Sequence, residues 1–159
     1  MKHLPKHLRP RWRYLAVGLE TWPDADLSRS DFQRSVWFAA QNLLGDPVSA
    51  DADLRVLSFD FADGTGETIV RARRGHVEEA RAALACVDSV RDDDVGVHVR
   101  GVSGTVRAAE EKYLNGALEN SAEETVVFRN ESRRAIARDS RVDVDCDGSF
   151  VGATRSDLE

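Results

Sequence analysis

The alternation of apolar and polar positions along residues 1–114 predicts a regular succession of strands and helices. In Arg13–Glu20, Leu15, Val17 and Leu19 alternate with smaller or polar residues, which is typical of a half-buried strand. Three later segments have strand-like patterns, and the first two are joined by a glycine-containing turn that predicts a hairpin. These segments are Leu54–Phe61, Glu67–Arg73 and Val95–Val102.

Helical periodicity appears between these strands. Ser30 begins a capping-box pattern, apolar residues recur at helical spacing from Phe32 to Leu44, and Gly45 with Pro47 predicts the end of this helix. A second helix is predicted over His76–Val87, and a third begins after Ser103–Thr105 and runs to about Leu114. The predicted order is therefore β-α-β-β-α-β, followed by a terminal helix.

This order predicts an α+β fold, a ferredoxin-like or RRM-like split-βαβ sandwich. We expect a four-stranded antiparallel sheet with the helices on one face. The corresponding domain would span residues 1–115, and residues 116–159 would form an acidic C-terminal extension.

The extension differs in composition from the rest of the chain. Residues 115–159 hold ten acids and six arginines, which supply −4 of the total formal charge of −6. Asp147-Gly148 is a typical hairpin turn, so a meander of short strands is one interpretation, and a disordered acidic tail is the other. The candidate strands are Thr125–Arg129, Arg134–Arg138, Arg141–Cys146 and Ser149–Thr154.

The chain is rich in acidic residues, and nearly all of its basic residues are arginine rather than lysine. The chain has 19 Arg and only 3 Lys, against 17 Asp and 11 Glu, which resembles the surfaces of cytosolic proteins from extreme halophiles. At about 1 M salt the Debye length is ~3 Å, so any contact with a nucleic acid must act at short range. No apolar run reaches the length of a membrane span, and the two cysteines lack CxxC spacing, so we expect a soluble, cytoplasmic protein without a membrane partner.

Motifs for catalysis or metal binding are not evident. There is no GxSxG, P-loop or Rossmann glycine pattern, and the four histidines do not occur at ligand spacing. Asp143, Asp145 and Asp147 resemble the opening of an EF-hand loop, but Thr154 occupies the position of the bidentate glutamate, which favours an aspartate-rich hairpin. We expect no catalytic residue, metal site or cofactor in this chain.

Basic residues are concentrated at the N-terminus. The first thirteen residues contain five basic side chains and no acid, which predicts contact with a polyanion, although a solvated disordered tail has the same composition. These residues are Lys2, Lys6, Arg9, Arg11 and Arg13.

The predicted sheet offers a second candidate surface. Its helix-free face would present Tyr14, Ala16 and Gly18 beside Arg71 and Arg73, with His98 and Arg100 on the flanking strand. Such a face could grip phosphates or be covered by a partner protein. Backbone N–H groups of Ser103–Thr105 at a helix start could also hold a phosphate, near Arg107 and Lys112, but a plain N-cap by Thr105 explains the same residues.

Two stretches resemble a known family. His3–Val17 and Val99–Leu114, with the element order between them, are similar to the signature segments of the archaeal ribonuclease P protein component 2 family, which is related to Pop5 and Rpp14. The resemblance covers about residues 2–114 and implies a ferredoxin-like fold.

The resemblance also implies a function. It implies a noncatalytic subunit of ribonuclease P, the ribonucleoprotein that removes the 5′ leader from precursor tRNA, in which the RNA subunit performs the hydrolysis with bound magnesium. The implied protein partner is the TIM-barrel subunit, component 3, in a two-plus-two heterotetramer. RNA contact is carried over to Lys6, Arg9, Arg11 and Arg13 in the first stretch and to Arg107 and Lys112 in the second.

Two other functions fit the predicted fold. Val102–Arg107 faintly resembles the phosphate loop of acylphosphatases, but that loop belongs between the first strand and the first helix. A regulatory ferredoxin-like module that dimerises or binds a small ligand is also compatible with the strand order, although it leaves the basic N-terminus unexplained.

Overall fold

The computed structural model describes residues 3–114, 122–138 and 140–158. Within residues 3–114, a short 3₁₀ turn at Lys6–Leu8 precedes an antiparallel sheet in the order β2-β3-β1-β5-β4 and three α-helices. The elements are β1 (Trp12–Thr21), α1 (Arg29–Ala52), β2 (Arg55–Ala62), β3 (Thr65–Arg73), α2 (Val77–Ala85), β4 (Ser89–Val90), β5 (Asp93–Ser103) and α3 (Val106–Tyr113).

The predicted α+β class is confirmed, and the strand order is consistent with a ferredoxin-like fold. Two details of the prediction are wrong. The two residues of β4 pair with the start of β5 and add a fifth strand, because Val90 is fully buried and its neighbour Ser89 pairs with Asp94. The helices are also not all on one face, since α3 packs on the side of the sheet opposite α1 and α2.

The main core lies between the sheet and the helices α1 and α2. Leu15, Val17 and Leu19 of β1 point to this side and pack with Phe32 of α1 and Leu84 of α2, all of them at most 1% exposed. Burial of such side chains contributes about 1.5–3 kcal/mol each. The alternate residue Ala16 points the other way and packs against α3.

Helix α1 extends beyond its predicted end. Gly45 has φ +76° and interrupts the helix, as expected, but a further segment continues to Ala52. Pro47 lies in the first turn of this segment. A backbone N–H in the first turn has no partner within the helix, so its absence in proline costs nothing there, and the fixed φ of proline suits a helix. Asp53 ends the segment in a left-handed conformation, and its N–H donates to the carbonyl of Ser49.

The C-terminal residues form a second antiparallel sheet in the order β6-β7-β8-β9. Positive φ angles at Arg129-Asn130 and at Asp147-Gly148 produce the hairpin turns that match the twist of the strands. Arg155 reaches from beyond β9 to Glu124 on β6, with 3.3 Å between Nη1 and Oε1, and thereby links the two edges of the sheet. The strands, close to the four predicted segments, are β6 (Ala122–Phe128), β7 (Glu131–Arg138), β8 (Arg141–Cys146) and β9 (Ser149–Thr154).

A buried arginine joins the two sheets. Arg138 is 2% exposed, and its guanidinium donates to the carbonyls of Thr21, at 2.9 Å, and Asp63, at 2.6 Å. It also pairs with Asp143 at 3.1 Å. Burial raises the pKa of the Asp143 carboxyl, and Arg138 opposes that effect. The arginine therefore satisfies polar groups from both sheets at once.

Gly64 is required at the same junction. It has φ +76°, and an added Cβ would lie 2.5 Å from Nη2 of Arg138 and 2.6 Å from the carbonyl oxygen of Thr21. The hairpin between β2 and β3 therefore fits the buried guanidinium only if this residue has no side chain.

In the described part of the chain, no helix combines the length and apolar character needed to cross a bilayer.

Substitution of the junction arginine tests this arrangement. We expect Arg138→Met to lower the free energy of unfolding by about 3–5 kcal/mol, because the half-buried Asp143 and the carbonyls of Thr21 and Asp63 would lose their partner. Urea unfolding measures the loss, and hydrogen exchange should show it first in β7 and β8. Arg134→Met is the control, because Arg134 pairs with Glu123 in an exposed bridge that contributes at most about 1 kcal/mol. Equal losses in both variants would contradict the assigned role of Arg138.

Candidate nucleic-acid interface

One end of the first sheet collects arginines from separate parts of the sequence. Because β1 is antiparallel to both β3 and β5, its first residues lie beside the last residues of those strands and beside the start of α3. We call this surface the basic end. Its arginines are Arg13, Arg71, Arg73, Arg74 and Arg107.

The residues before β1 continue this surface, and residues 3–11 are called the basic arm. Lys6, Arg9 and Arg11 are all exposed. The N–H of Arg74 donates to the carbonyl of Arg11 at 2.8 Å, which fixes the base of the arm at the end of β3. Within residues 3–114, 122–138 and 140–158, no carboxylate lies within ion-pair distance of these three side chains. Their charge is therefore available to a ligand.

Arg13 lies next to the start of α3. Its Nη1 donates to the carbonyl of Trp12 at 3.1 Å and would be 3.9 Å from a Cβ at Gly104. The hydroxyl of Thr105 accepts from the N–H of Ala108 at 3.1 Å, so the N-cap interpretation of this loop is confirmed. A phosphate at the Ser103–Thr105 loop stays a prediction. The loop follows β5, the last strand of this sheet, so nothing in its position favours the acylphosphatase alternative.

The two basic residues predicted on α3 face solvent. Arg107 pairs with Glu111 at 2.7 Å one helical turn later, and both side chains are more than half exposed. Such a pair contributes only about 0.2–0.5 kcal/mol, so a phosphate could replace it at little cost. Lys112 lies 5.3 Å from the ring centroid of Tyr113.

Arg71 and Arg73 pack against Trp12, which the sequence analysis did not single out. The guanidinium carbon of Arg71 lies 3.8 Å from the centroid of the indole, and that of Arg73 lies 5.6 Å away. Arg71 also approaches Asp53 at 3.6 Å. Only the register, which places Trp12 opposite Arg73, reveals this cluster, and no local sequence signal could have found it.

Arg100 is engaged within the protein. Its Nη1 forms a short ion pair with Glu67, whose side chain is only 11% exposed, and lies 3.5 Å from the carbonyl oxygen of Tyr113. This pair cancels the charge of Arg100 at the middle of the sheet. Its predicted contact with RNA is untested, but it adds no net charge to the basic end.

The prediction of an open sheet face is wrong at its centre. Ala16 is fully buried beneath Ala109 of α3, and Gly18 is covered by the imidazole of His98. Tyr14, which is half-buried, also packs with α3 residues. Of the four residues predicted as a partner interface, Tyr14 and Ala16 are covered because α3 folds back over the face that the strand order leaves open, and Gly18 is buried beneath His98. His98 itself is exposed, and its contact with a partner stays a prediction.

The opposite end of the sheet is acidic. It holds Glu20 at the end of β1 and Asp93-Asp94 at the start of β5, and the second sheet is attached there, with Arg141 paired to Glu20 at 2.8 Å. Two of the aspartates that resembled a calcium loop form ion pairs with arginines: Asp143 pairs with Arg138, and Asp147 pairs with Arg133 at 3.3 Å. No group of side chains suited to a metal ion occurs among the described residues.

Fold and surface together define an α+β protein with a ferredoxin-like strand order and one basic end suited to an anionic polymer. A family model described as the Rpp14/Pop5 family matches residues 13–114, and the chain belongs to this family.

Similar proteins carry one name, "Ribonuclease P protein component 2". The relative from Haloarcula marismortui is 63% identical over 160 residues, with 99% of each chain covered. That from Halorubrum lacusprofundi is 59% identical over the whole of both chains. That from Methanosarcina mazei is 40% identical over 114 residues, which cover 72% of this chain and 93% of the relative.

Substitution of Gly101, which lies beneath α3, tests how this helix covers the sheet. An added Cβ at Gly101 would collide with the ring of Tyr113, so we expect Gly101→Ala to displace α3 and to lower the free energy of unfolding by about 1–3 kcal/mol. Gly96→Ala is the matched control on the same strand, because its Cβ would be 3.7 Å from the carbonyl oxygen of Glu20, an ordinary contact. Thermal unfolding of both variants measures the difference. A stable Gly101→Ala protein would show that Tyr113 does not pack there.

Proposed function

We propose that the chain is a noncatalytic protein subunit of ribonuclease P, the ribonucleoprotein that removes the 5′ leader from precursor tRNA. Membership of the Rpp14/Pop5 family and the shared name of its relatives support this proposal. The observation that carries it is the basic arm, which lies beside the basic end. The guanidinium groups of Arg9 and Arg11 in this arm are exposed, and no carboxylate among the described residues pairs with them.

The protein acts on the RNA by neutralising and positioning phosphates. Strands of a folded RNA repel one another, and arginine side chains that bridge them stabilise the active arrangement. Hydrolysis of the phosphodiester, which makes the assembly an endonuclease, belongs to the RNA subunit and the magnesium ions bound to it. This chain supplies no group to the bond that breaks.

The arginine-rich composition suits a cytoplasm at high salt. At about 1 M salt, screening leaves only contacts within a few ångströms effective, and guanidinium groups bind phosphate at that range through paired hydrogen bonds. Several relatives come from halophilic archaea, including Haloarcula marismortui and Halorubrum lacusprofundi, which supports a halophilic source for this chain.

The partners are ribonuclease P RNA, precursor tRNA and the TIM-barrel subunit, component 3, in a two-plus-two heterotetramer. Apolar side chains on the outer surface of α1 support a protein partner: Trp37 is 43% exposed, Phe38 67% and Leu43 48%. Phe38 and Leu43 line a groove of about 550 Å³ with Val87. The groove also contains Ser89 and Arg91, which lie beside the start of β5 at the acidic end of the sheet, so a partner in the groove would leave the basic end free to bind RNA.

Loss of two arginines from the basic arm tests the proposed RNA contact. We expect Arg9→Ala with Arg11→Ala to weaken binding to a ribonuclease P RNA transcript and to reduce the slope of log K against log salt by about two, because about one unit is lost for each phosphate contact. Filter binding over a salt series measures both quantities.

The matched control removes the same charge elsewhere. Arg81→Ala with Arg134→Ala changes exposed arginines on α2 and β7, both paired with glutamates, and should leave affinity and slope unchanged. Equal effects of the two double variants would mean that net charge alone governs binding, and the assignment to the basic arm would fail.

The groove on α1 provides a separate test of the protein partner. Phe38→Ser should weaken co-purification with the component 3 protein by about fivefold or more, because an exposed aromatic anchor contributes at least about 1 kcal/mol to an interface. RNA affinity should not change. Val127→Ser, at an exposed apolar position on β6, is the control for loss of a surface hydrophobe. Unchanged co-purification of Phe38→Ser would place the partner elsewhere.

A further inference from the structure

We propose that Trp12 is a positioning residue that holds Arg71 and Arg73 ready to bind consecutive phosphates of an RNA backbone. The inference rests on the proposed function and adds to it a residue that does not itself need to touch RNA. It also specifies the chemistry that is recognised, namely the phosphodiester backbone rather than the bases.

The register of the sheet places the three side chains together. Trp12 pairs with Arg73, and Tyr14 pairs with Arg71, so the indole and both guanidinium groups lie on the same face at the end of the sheet. Arg71 and Arg73 are two residues apart on β3, which separates their Cα atoms by about 6.6 Å. Strand β3 therefore presents a pair of cations, and the neighbouring strand β1 supplies the indole beside them.

The indole restricts both arginines. Arg71 stacks on the ring at 3.8 Å and Arg73 lies 5.6 Å from its centroid, within the range of cation–π attraction. The Nε atoms of both arginines are buried without a hydrogen-bond partner. The terminal Nη atoms of each guanidinium group are therefore the donors available to bind an anion.

The same contact argues against base stacking by Trp12. A base could stack only on an open face of the indole, and Arg71 occupies one face at van der Waals distance. Arg71 is only loosely neutralised, since its Nη2 lies 3.6 Å from Asp53, and no described carboxylate forms an ion pair with Arg73. The cluster consequently offers positive charge and few base-specific contacts.

Preorganisation should be visible as a gain in affinity. An arginine that is free before binding loses rotamer freedom when it meets a phosphate, and a stacked arginine has already lost it. For two side chains at the lower end of this entropic cost, we expect Trp12→Leu to weaken binding about five- to tenfold. Trp12→Phe keeps an aromatic face and should retain most of the affinity.

A double-mutant cycle on the full-length protein tests this inference. The probe is an in vitro transcript of ribonuclease P RNA from Haloarcula marismortui, with affinity measured over a salt series. We expect Trp12→Leu to weaken binding without changing the salt slope, because the phosphate contacts still form. In the background of Arg71→Ala with Arg73→Ala, Trp12→Leu should have less than a twofold effect, since it acts only through those arginines.

The possible results separate this inference from the proposed function. Equal losses from Trp12→Leu in both backgrounds would overturn it, because Trp12 would then contact RNA itself. No loss in the native background would also overturn it, while a lower affinity and slope for Arg71→Ala with Arg73→Ala would leave the proposed function intact. If the protein with Arg71→Ala and Arg73→Ala also binds normally, this pair of arginines does not contact RNA and the inference fails. Circular dichroism of each variant confirms that the compared proteins are folded.

Discussion

The antiparallel pairing of β1 with both β3 and β5 is the constraint on which the rest of the structure depends. This central strand places the start of the chain beside the ends of two strands that are about 60 and 90 residues away in sequence. Its alternation sends Leu15 and Val17 into the main core and Ala16 toward α3. A shift of one residue in its register would exchange these faces and separate Trp12 from Arg73.

Charge is segregated along the same sheet. The protein has a formal charge of −6, yet one end of the sheet carries a group of arginines, and the other end carries acidic residues and the attached second sheet. Arginines inside the protein are neutralised by its own groups, as in the pairs Arg100–Glu67 and Arg138–Asp143. Among the described residues, no carboxylate pairs with Lys6, Arg9 or Arg11 of the basic arm, so this end of the molecule would attract a polyanion and the acidic end would repel it.

The second sheet is joined to the first by polar contacts rather than by a shared apolar core. Its own cluster, built around Phe128, Val142 and Val144, is separate from the main one. Arg138 connects the sheets through backbone carbonyls and a half-buried carboxylate, and such contacts require a fixed geometry. Because the attachment is at the acidic end, the described residues of the second sheet do not cover the basic end.

The amino-acid sequence alone determined most of the elements, the α+β class and the family, because periodicity, turn residues such as Asp147-Gly148 and two long signature stretches are local properties. It also located the basic arm, since the charge of Arg9 and Arg11 does not depend on folding. Only the tertiary structure decided which face α3 covers, that Arg100 is neutralised by Glu67, and that Trp12 stacks on Arg71. These outcomes depend on the register between strands and on the packing of a helix with no strand after it in the same sheet, and neither is encoded in the spacing of neighbouring residues.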